Sequence, residues 1–188
     1  MLIAAQPKSA STSLYMTLLK YTNLREIKNQ VTGRRLKPLP LFKSLPHRCI
    51  KNYPKHKITQ TLNKQHLYRL HLPPTSHNVN EIVKQNGKVI VTLREPDAEA
   101  SLAYLRHKNV DNSNAHKNFN EERMFRIRFA LNYFYNEWLY WTCKHPSNFL
   151  LVRYENLISD PEEINRCLTY WGYKPIKKPI LLKKRYSK

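Results

Sequence analysis

Val89-Ile90-Val91-Thr92-Leu93-Arg94-Glu95-Pro96-Asp97 is a β-rich apolar run that stops on a charge and a proline. A run without polar alternation fits a strand buried on both faces, the place of a central strand in a parallel sheet. A helical stretch, Ala98–His107, follows it. Strand, short turn and helix make up the unit from which parallel α/β sheets are assembled.

The same unit recurs outward from this stretch. Leu2–Ala5 is a short apolar run ending in Gln6-Pro7, followed by the small residues Ser9-Ala10-Ser11-Thr12-Ser13. Beyond them Leu14, Met16, Leu18, Leu19 and Leu24 suggest a helix with one buried stripe. His66–Leu70 reads as a strand stopped by Pro73-Pro74, and Asn78 as the N-cap of a short helix ending near Gly87. Apolar residues at 124, 127, 131, 134, 138 and 141 have the spacing of one face of a long helix over Glu121–Lys144. Phe149–Val152 is a further strand, and Pro161–Trp171 a further helix with Gly172 as its stop. The expectation is a single α/β domain over residues 1–188, with a central parallel sheet flanked by helices. Three parts fall outside that pattern. Residues 30–60, with Pro38, Pro40, Pro46, Pro54 and many cations, read as a basic excursion without regular structure. The Asn-rich stretch 108–120 reads as a mobile loop, and 174–188 as a basic tail.

Composition bounds the function without choosing it. The chain carries 33 Lys and Arg against 13 Asp and Glu, a formal charge of +20, and no acid at all from Ile27 to Asn80. Such a field concentrates anions, be they nucleic acid, anionic polysaccharide, an acidic membrane surface or a phosphorylated nucleotide. The 41% hydrophobic fraction and the 12 Tyr argue for a folded core rather than a solvated tail. Three cysteines, Cys49, Cys143 and Cys167, lack metal-ligand spacing and suit a reducing compartment. No apolar run approaches the ~20 residues of a membrane span, and no signal peptide is evident, so a cytoplasmic location is expected.

Two segments carry anion chemistry. Pro7-Lys8-Ser9-Ala10-Ser11-Thr12-Ser13-Leu14 lies between a strand and a helix, where backbone N–H groups, short hydroxyls and one lysine suit a phosphate. A Ser/Thr-rich helix cap without a ligand has the same composition. The Walker A spacing is absent and the chain has only Gly33, Gly87 and Gly172, which argues against an ordinary P-loop ATPase, GTPase or kinase. In the second segment Arg94 ends a strand and Ser101 lies within the next helix, a planar donor fork and a hydroxyl able to wrap another phosphate. Between them His71, in Arg69-Leu70-His71-Leu72-Pro73, is a residue type suited to general-base work.

Taken together these segments resemble the sulfotransferase family. Pro7–Leu14 is similar to its 5′-phosphosulfate loop, Pro-Lys-Ser-Gly-Thr-Thr-Trp, and Arg94-Glu-Pro96 with Ser101 to its 3′-phosphate segment, Arg-x-Pro-x-x-x-x-Ser. Arg69 and His71 fall on the lysine and histidine of Lys-Thr-His-Leu-Pro. Tyr154-Glu155-Asn-Leu-Ile-Ser-Asp160-Pro161 resembles Tyr-Glu-Asp-Leu-x-x-Asp-Pro. The resemblance implies a fold related to the P-loop nucleoside triphosphate hydrolases. It also implies 3′-phosphoadenosine 5′-phosphosulfate (PAPS) as co-substrate, without a metal. Lys8, Ser9, Ala10, Ser11, Thr12 and Ser13 would then hold the 5′ end, with Lys8 also stabilising the leaving phosphate. Arg94 and Ser101 would hold the 3′-phosphate, Tyr154 would contact adenine, and His71 would be the base. Other branches of the family use a carboxylate as base, which leaves Glu26 open, while His66 and His77 are neighbouring histidines without that match. The acceptor is a hydroxyl or amine, a carbohydrate among the candidates. Ala10 replaces the usual glycine and Ser13 the usual tryptophan. The family's C-terminal Arg-Lys-Gly triplet is missing, with Lys183, Lys184 and Arg185 as a substitute source of charge. The rivals are a basic nucleic-acid-binding protein, against which no binding-module signature appears, and a sulfotransferase fold that binds nucleotide without catalysis.

Overall fold

The computed structural model describes residues 1–7, 9–26, 52–97, 100 and 121–182. Five strands form one sheet: β1 (Leu2–Ala5), β2 (Arg25–Glu26), β3 (His66–Leu70), β4 (Val89–Leu93) and β5 (Phe149–Arg153), in the order β2-β3-β1-β4-β5. Every pairing is parallel. The helices are α1 (Ser11–Tyr21), α2 (Lys55–Thr61), α3 (Ser76–Lys84), α4 (Glu121–Lys144), α5 (Tyr154–Ser159) and α6 (Glu162–Tyr170).

Parallel strands demand crossovers, and the helices on both faces explain why β1 is apolar throughout and β4 is apolar but for Thr92: all their residues are buried. On one face Leu2, Ala4, Leu70, Val89 and Val91 pack with Ile58 of α2, Val79 and Ile82 of α3, and Phe134 and Trp138 of α4. On the other, Ile3, Ala5, Ile90 and Val152 meet Leu14 and Leu18 of α1 and Ile164, Cys167 and Leu168 of α6. The period-2 alternation along each strand thus feeds two cores at once. This is the expected single α/β domain with a P-loop-like sheet.

Several elements differ from the sequence expectation. The cap of α3 is Thr75, whose Oγ1 accepts the Asn78 N–H at 3.2 Å. Asn78 lies inside the helix, fully buried, accepting from the Tyr53 N–H at 2.7 Å and donating to the Pro73 carbonyl at 3.0 Å. A threonine one turn earlier does the capping because Asn78 is needed to fasten two loops. Residues 55–61 are helical within the stretch read as an irregular excursion; Pro54 stands at the N-cap, where a proline does not interrupt helix hydrogen bonds. Residues 154–159 form a short helix that the sequence reading does not assign, and β2 has too little sequence to signal a strand. The stop at Gly172 holds: with φ of 83° it lets the Tyr173 and Gly172 amides reach back to the Leu168 and Thr169 carbonyls, both at 2.9 Å. The 108–120 loop, most of Ala98–His107 and residues 183–188 lie outside the described residues.

Candidate functional site

The sheet register sets the site. Ala4 pairs with Leu70 and Ala5 with Thr92, while Leu93 pairs with Arg153. The residues that directly follow the four strands therefore stand in one row at their C-terminal edge: His71 after β3, Gln6 after β1, Arg94 after β4 and Tyr154 after β5. Neighbouring strands lie ~4.8 Å apart. The β1 and β4 exits are thus one strand spacing from each other, beside the place where the strand order reverses. In open α/β sheets this edge is where ligands bind.

The β1 exit turns on Gln6. Its N–H extends the ladder to the Thr92 carbonyl at 2.9 Å, while its own carbonyl accepts from the Ser9 Oγ at 2.8 Å. Ser9 Oγ also shares a hydrogen bond with Thr92 Oγ1 at 2.7 Å, and Ser9 is fully buried. Its hydroxyl is therefore spent on shaping the loop. Ala10 follows with φ of 56°, a left-handed conformation at which glycine has no Cβ penalty. From there α1 starts at Ser11 without any side chain capping its first turn. Ser11 is buried, Ser13 half-buried and Thr12 exposed. Lys8 lies outside the described residues.

The β4 exit is clasped from both sides. The Arg94 N–H donates to Gln6 Oε1 at 2.7 Å, and the Glu95 N–H to Glu155 Oε1 at 3.4 Å. Arg94 is buried, and its guanidinium carbon sits 4.4 Å from the centre of the Tyr154 ring. One face of Tyr154 thus holds the arginine in a cation–π contact. Beyond it Asp97 Oδ1 accepts the Ala100 N–H at 2.5 Å, the pattern of a helix N-cap. Ser101 lies outside the described residues. A shallow open depression adjoins this exit, lined by Glu95, Pro96, Asp97, Asn132, Tyr135 and Asn136.

His71 stands on the far side of β1 from Arg94. Its Nδ1 lies 2.7 Å from the Ala5 carbonyl oxygen. A carbonyl can only accept, so Nδ1 carries the hydrogen, and in the neutral ring the lone pair belongs to Nε2. Downstream, the Trp138 and Trp141 indoles donate to the Leu72 and Pro74 carbonyls at 3.1 and 3.0 Å, so α4 anchors the segment that carries His71. Desolvation lowers the Arg69 guanidinium from its ordinary pKa and Tyr15 opposes the shift; arginine remains a cation. The other candidates lie elsewhere. Glu26 pairs with Leu67, towards the opposite end of β3 from His71. His66 begins β3, and His77 Nε2 is engaged with the Tyr53 carbonyl at 3.1 Å.

Residues 1–183 match the sulfotransferase domain family. The chain belongs to that family. None of the curated proteins matches it in sequence. The reaction class of a sulfotransferase is transfer of a sulfuryl group. Among the described residues no group of His, Cys, Asp and Glu could hold a metal ion, and no helix is long and apolar enough to cross a membrane.

Two residues of the site escaped the sequence reading. Gln6 is a polar residue directly after a buried strand, and Thr92 a hydroxyl inside an apolar one. Each breaks its own hydrophobic run, and that interruption was the available signal.

Proposed function

We propose that this sulfotransferase transfers the sulfuryl group of PAPS to a hydroxyl or amine acceptor, with carbohydrates the first class to screen. The observation that carries the reading is the placement of buried Arg94 at the β4 exit, one strand spacing from the β1 exit whose loop leads into the uncapped start of α1. A helix N-terminus attracts one phosphate and a guanidinium fork another. Two such sites side by side suit the 5′ and 3′ groups of a single ribose. Lys8, the amides from Ser9 to Ser13 and the first turn of α1 take the phosphosulfate. Arg94, with Ser101, takes the 3′-phosphate. Tyr154 serves adenine through the ring face that Arg94 leaves uncovered, or through Arg94 itself.

In the reaction an acceptor oxygen or nitrogen attacks sulfur in line. The bond between sulfur and the bridging phosphate oxygen breaks, and the electron pair leaves with 3′,5′-adenosine bisphosphate. Lys8 and the loop amides stabilise the charge that grows on that oxygen. The acceptor proton passes to His71 Nε2, the nitrogen that the Ala5 contact leaves with the lone pair. His71 is favoured over Glu26 because the register sets it in the row of strand ends. Exposed Cys143 and buried Cys167, both free, suit the reducing cytoplasm proposed as its location.

Calorimetry with the purified chain tests the donor. A charge-assisted contact contributes ~1.5–3 kcal/mol, so 3′,5′-adenosine bisphosphate should bind about ten- to a hundred-fold tighter than AMP. Arg94→Ala should abolish most of that preference. Equal affinities in the wild type would refute the reading. Binding without turnover across an acceptor screen would leave a nucleotide-binding fold and remove the enzyme.

A further inference from the structure

We propose that Gln6 is a positioning residue whose side chain sets Arg94 at the correct height and depth for the 3′-phosphate; the inference rests on the nucleotide reading above. Gln6 is fully buried. A buried amide is tolerated only when its polar atoms are satisfied, and here every one of them has a partner. The main chain binds Thr92 and Ser9, Oε1 accepts from the Arg94 N–H at 2.7 Å, and Nε2 donates to the Leu131 carbonyl of α4 at 3.4 Å.

The pattern of these bonds shows what the side chain replaces. In a parallel ladder one residue donates to its neighbour strand and accepts from the residue two further along that strand. Gln6 donates to Thr92, so its carbonyl would next accept from Arg94. That carbonyl is instead turned to Ser9, which lets the chain leave the sheet and form the loop. The carboxamide oxygen takes the vacated place and supplies the missing rung to Arg94. β1 can therefore end while β4 is still held at sheet spacing. The amide nitrogen, through Leu131, fixes the same group against α4.

The division of labour is specific. The loop is built by the Gln6 main chain, which any residue provides. The arginine is held by the side chain. Losing the carboxamide should therefore loosen the 3′ end of the nucleotide site and spare the 5′ end. A glutamate would place a carboxylate beside the anion, and an aliphatic residue would leave the buried Arg94 N–H without an acceptor.

The test is a calorimetric double-mutant cycle with Gln6→Met, Arg94→Ala and both together, titrated with 3′,5′-adenosine bisphosphate and with AMP. Gln6→Met should weaken the bisphosphate about tenfold and AMP by less than twofold. In the Arg94→Ala background it should add nothing to either, because Gln6 acts through the arginine. Equal losses for both nucleotides, or losses that add to those of Arg94→Ala, overturn the proposal. Should Gln6→Met fail to fold, amide hydrogen exchange on the wild-type chain decides: the Arg94 amide should be protected like the strand before it, and exchange at an unprotected rate overturns the assignment. A wild type that does not prefer the bisphosphate defeats the nucleotide reading instead, and the protection of Arg94 still reads the Gln6 contact by itself.

Discussion

Replacing His71 by asparagine separates catalysis from structure at the β3 exit. The imidazole does two things there. Nδ1–H ties the strand end to the Ala5 carbonyl at 2.7 Å, and Nε2 is the nitrogen proposed to take the acceptor proton. An asparagine amide nitrogen occupies nearly the place of Nδ1 and can still donate to Ala5, but it offers no base. An alanine offers neither. A net hydrogen bond of this kind contributes ~1 kcal/mol. For a chain of this length that corresponds to a Tm lower by ~2–4 °C in His71→Ala, and by less than half of that in His71→Asn. Loss of a general base costs ~10²–10⁴ in rate, or ~3–5 kcal/mol of barrier, in both variants alike. Nucleotide affinity should stay within about twofold, because β1 separates His71 from Arg94. The measurements are sulfuryl transfer from radiolabelled donor, thermal unfolding by circular dichroism and calorimetry with the bisphosphate. If His71→Asn keeps more than about a tenth of the wild-type rate, the proton goes elsewhere and the assignment of His71 is wrong.

Three further outcomes follow from the backbone and the thiols. Ala10 holds φ of 56°, so Ala10→Gly should be neutral or up to ~1 kcal/mol more stable, and Ala10→Val less stable by about 1–2 kcal/mol in denaturant unfolding; a valine variant as stable as the wild type would mean that the loop does not require the left-handed conformation. Gly172 has φ of 83° and nothing within 4 Å of an added Cβ, so Gly172→Ala should show the backbone penalty alone, about 1 kcal/mol or ~2–4 °C in Tm; no change in Tm would remove the helix stop from Gly172. Burial, reinforced by Glu163, pushes the Cys167 thiol well above its ordinary pKa, whereas Cys143 is exposed. Thiol reagent on the native protein should therefore label Cys143 and spare Cys167 by peptide mass mapping, and native labelling of Cys167 would contradict its burial between α6 and the sheet.

Much of the fold was legible because burial on both faces leaves a plain mark. Val89–Leu93 and Leu2–Ala5 could hardly be anything but central strands, and their exits could be found by looking at the residues just past them. Arg94, His71 and Tyr154 were legible in that way, each the first residue after a strand. What stayed hidden depends on partners distant in sequence. Gln6 gains its role only when β4 arrives beside β1 with Thr92 and Arg94 in register. Asn78 looks like a helix cap until Tyr53 and Pro73 take up its side chain. The two-residue β2 exists only as a partner for β3. Local propensity cannot encode such contacts, because the same side chain serves equally well in its local alternative.

The charge total illustrates the same limit from the other direction. A value of +20 invites the reading that the acceptor is itself an anion. Yet Lys64 precedes β3 and Lys88 precedes β4, which sets both exposed cations at the end of the sheet opposite Arg94. At that edge, by contrast, Glu95 and Asp97 follow Arg94 in the chain, and Glu155 accepts from the Glu95 N–H. Mobile ions screen exposed charges beyond ~8–10 Å, so the net charge acts on approach and the few groups at the strand ends act on choice. A basic surface hastens the arrival of any polyanion. Arg94, with its guanidinium seated on Tyr154 and its backbone N–H held by Gln6, is the residue proposed to distinguish a nucleotide with a 3′-phosphate from one without, and that choice would be unchanged if Lys64 and Lys88 were neutral.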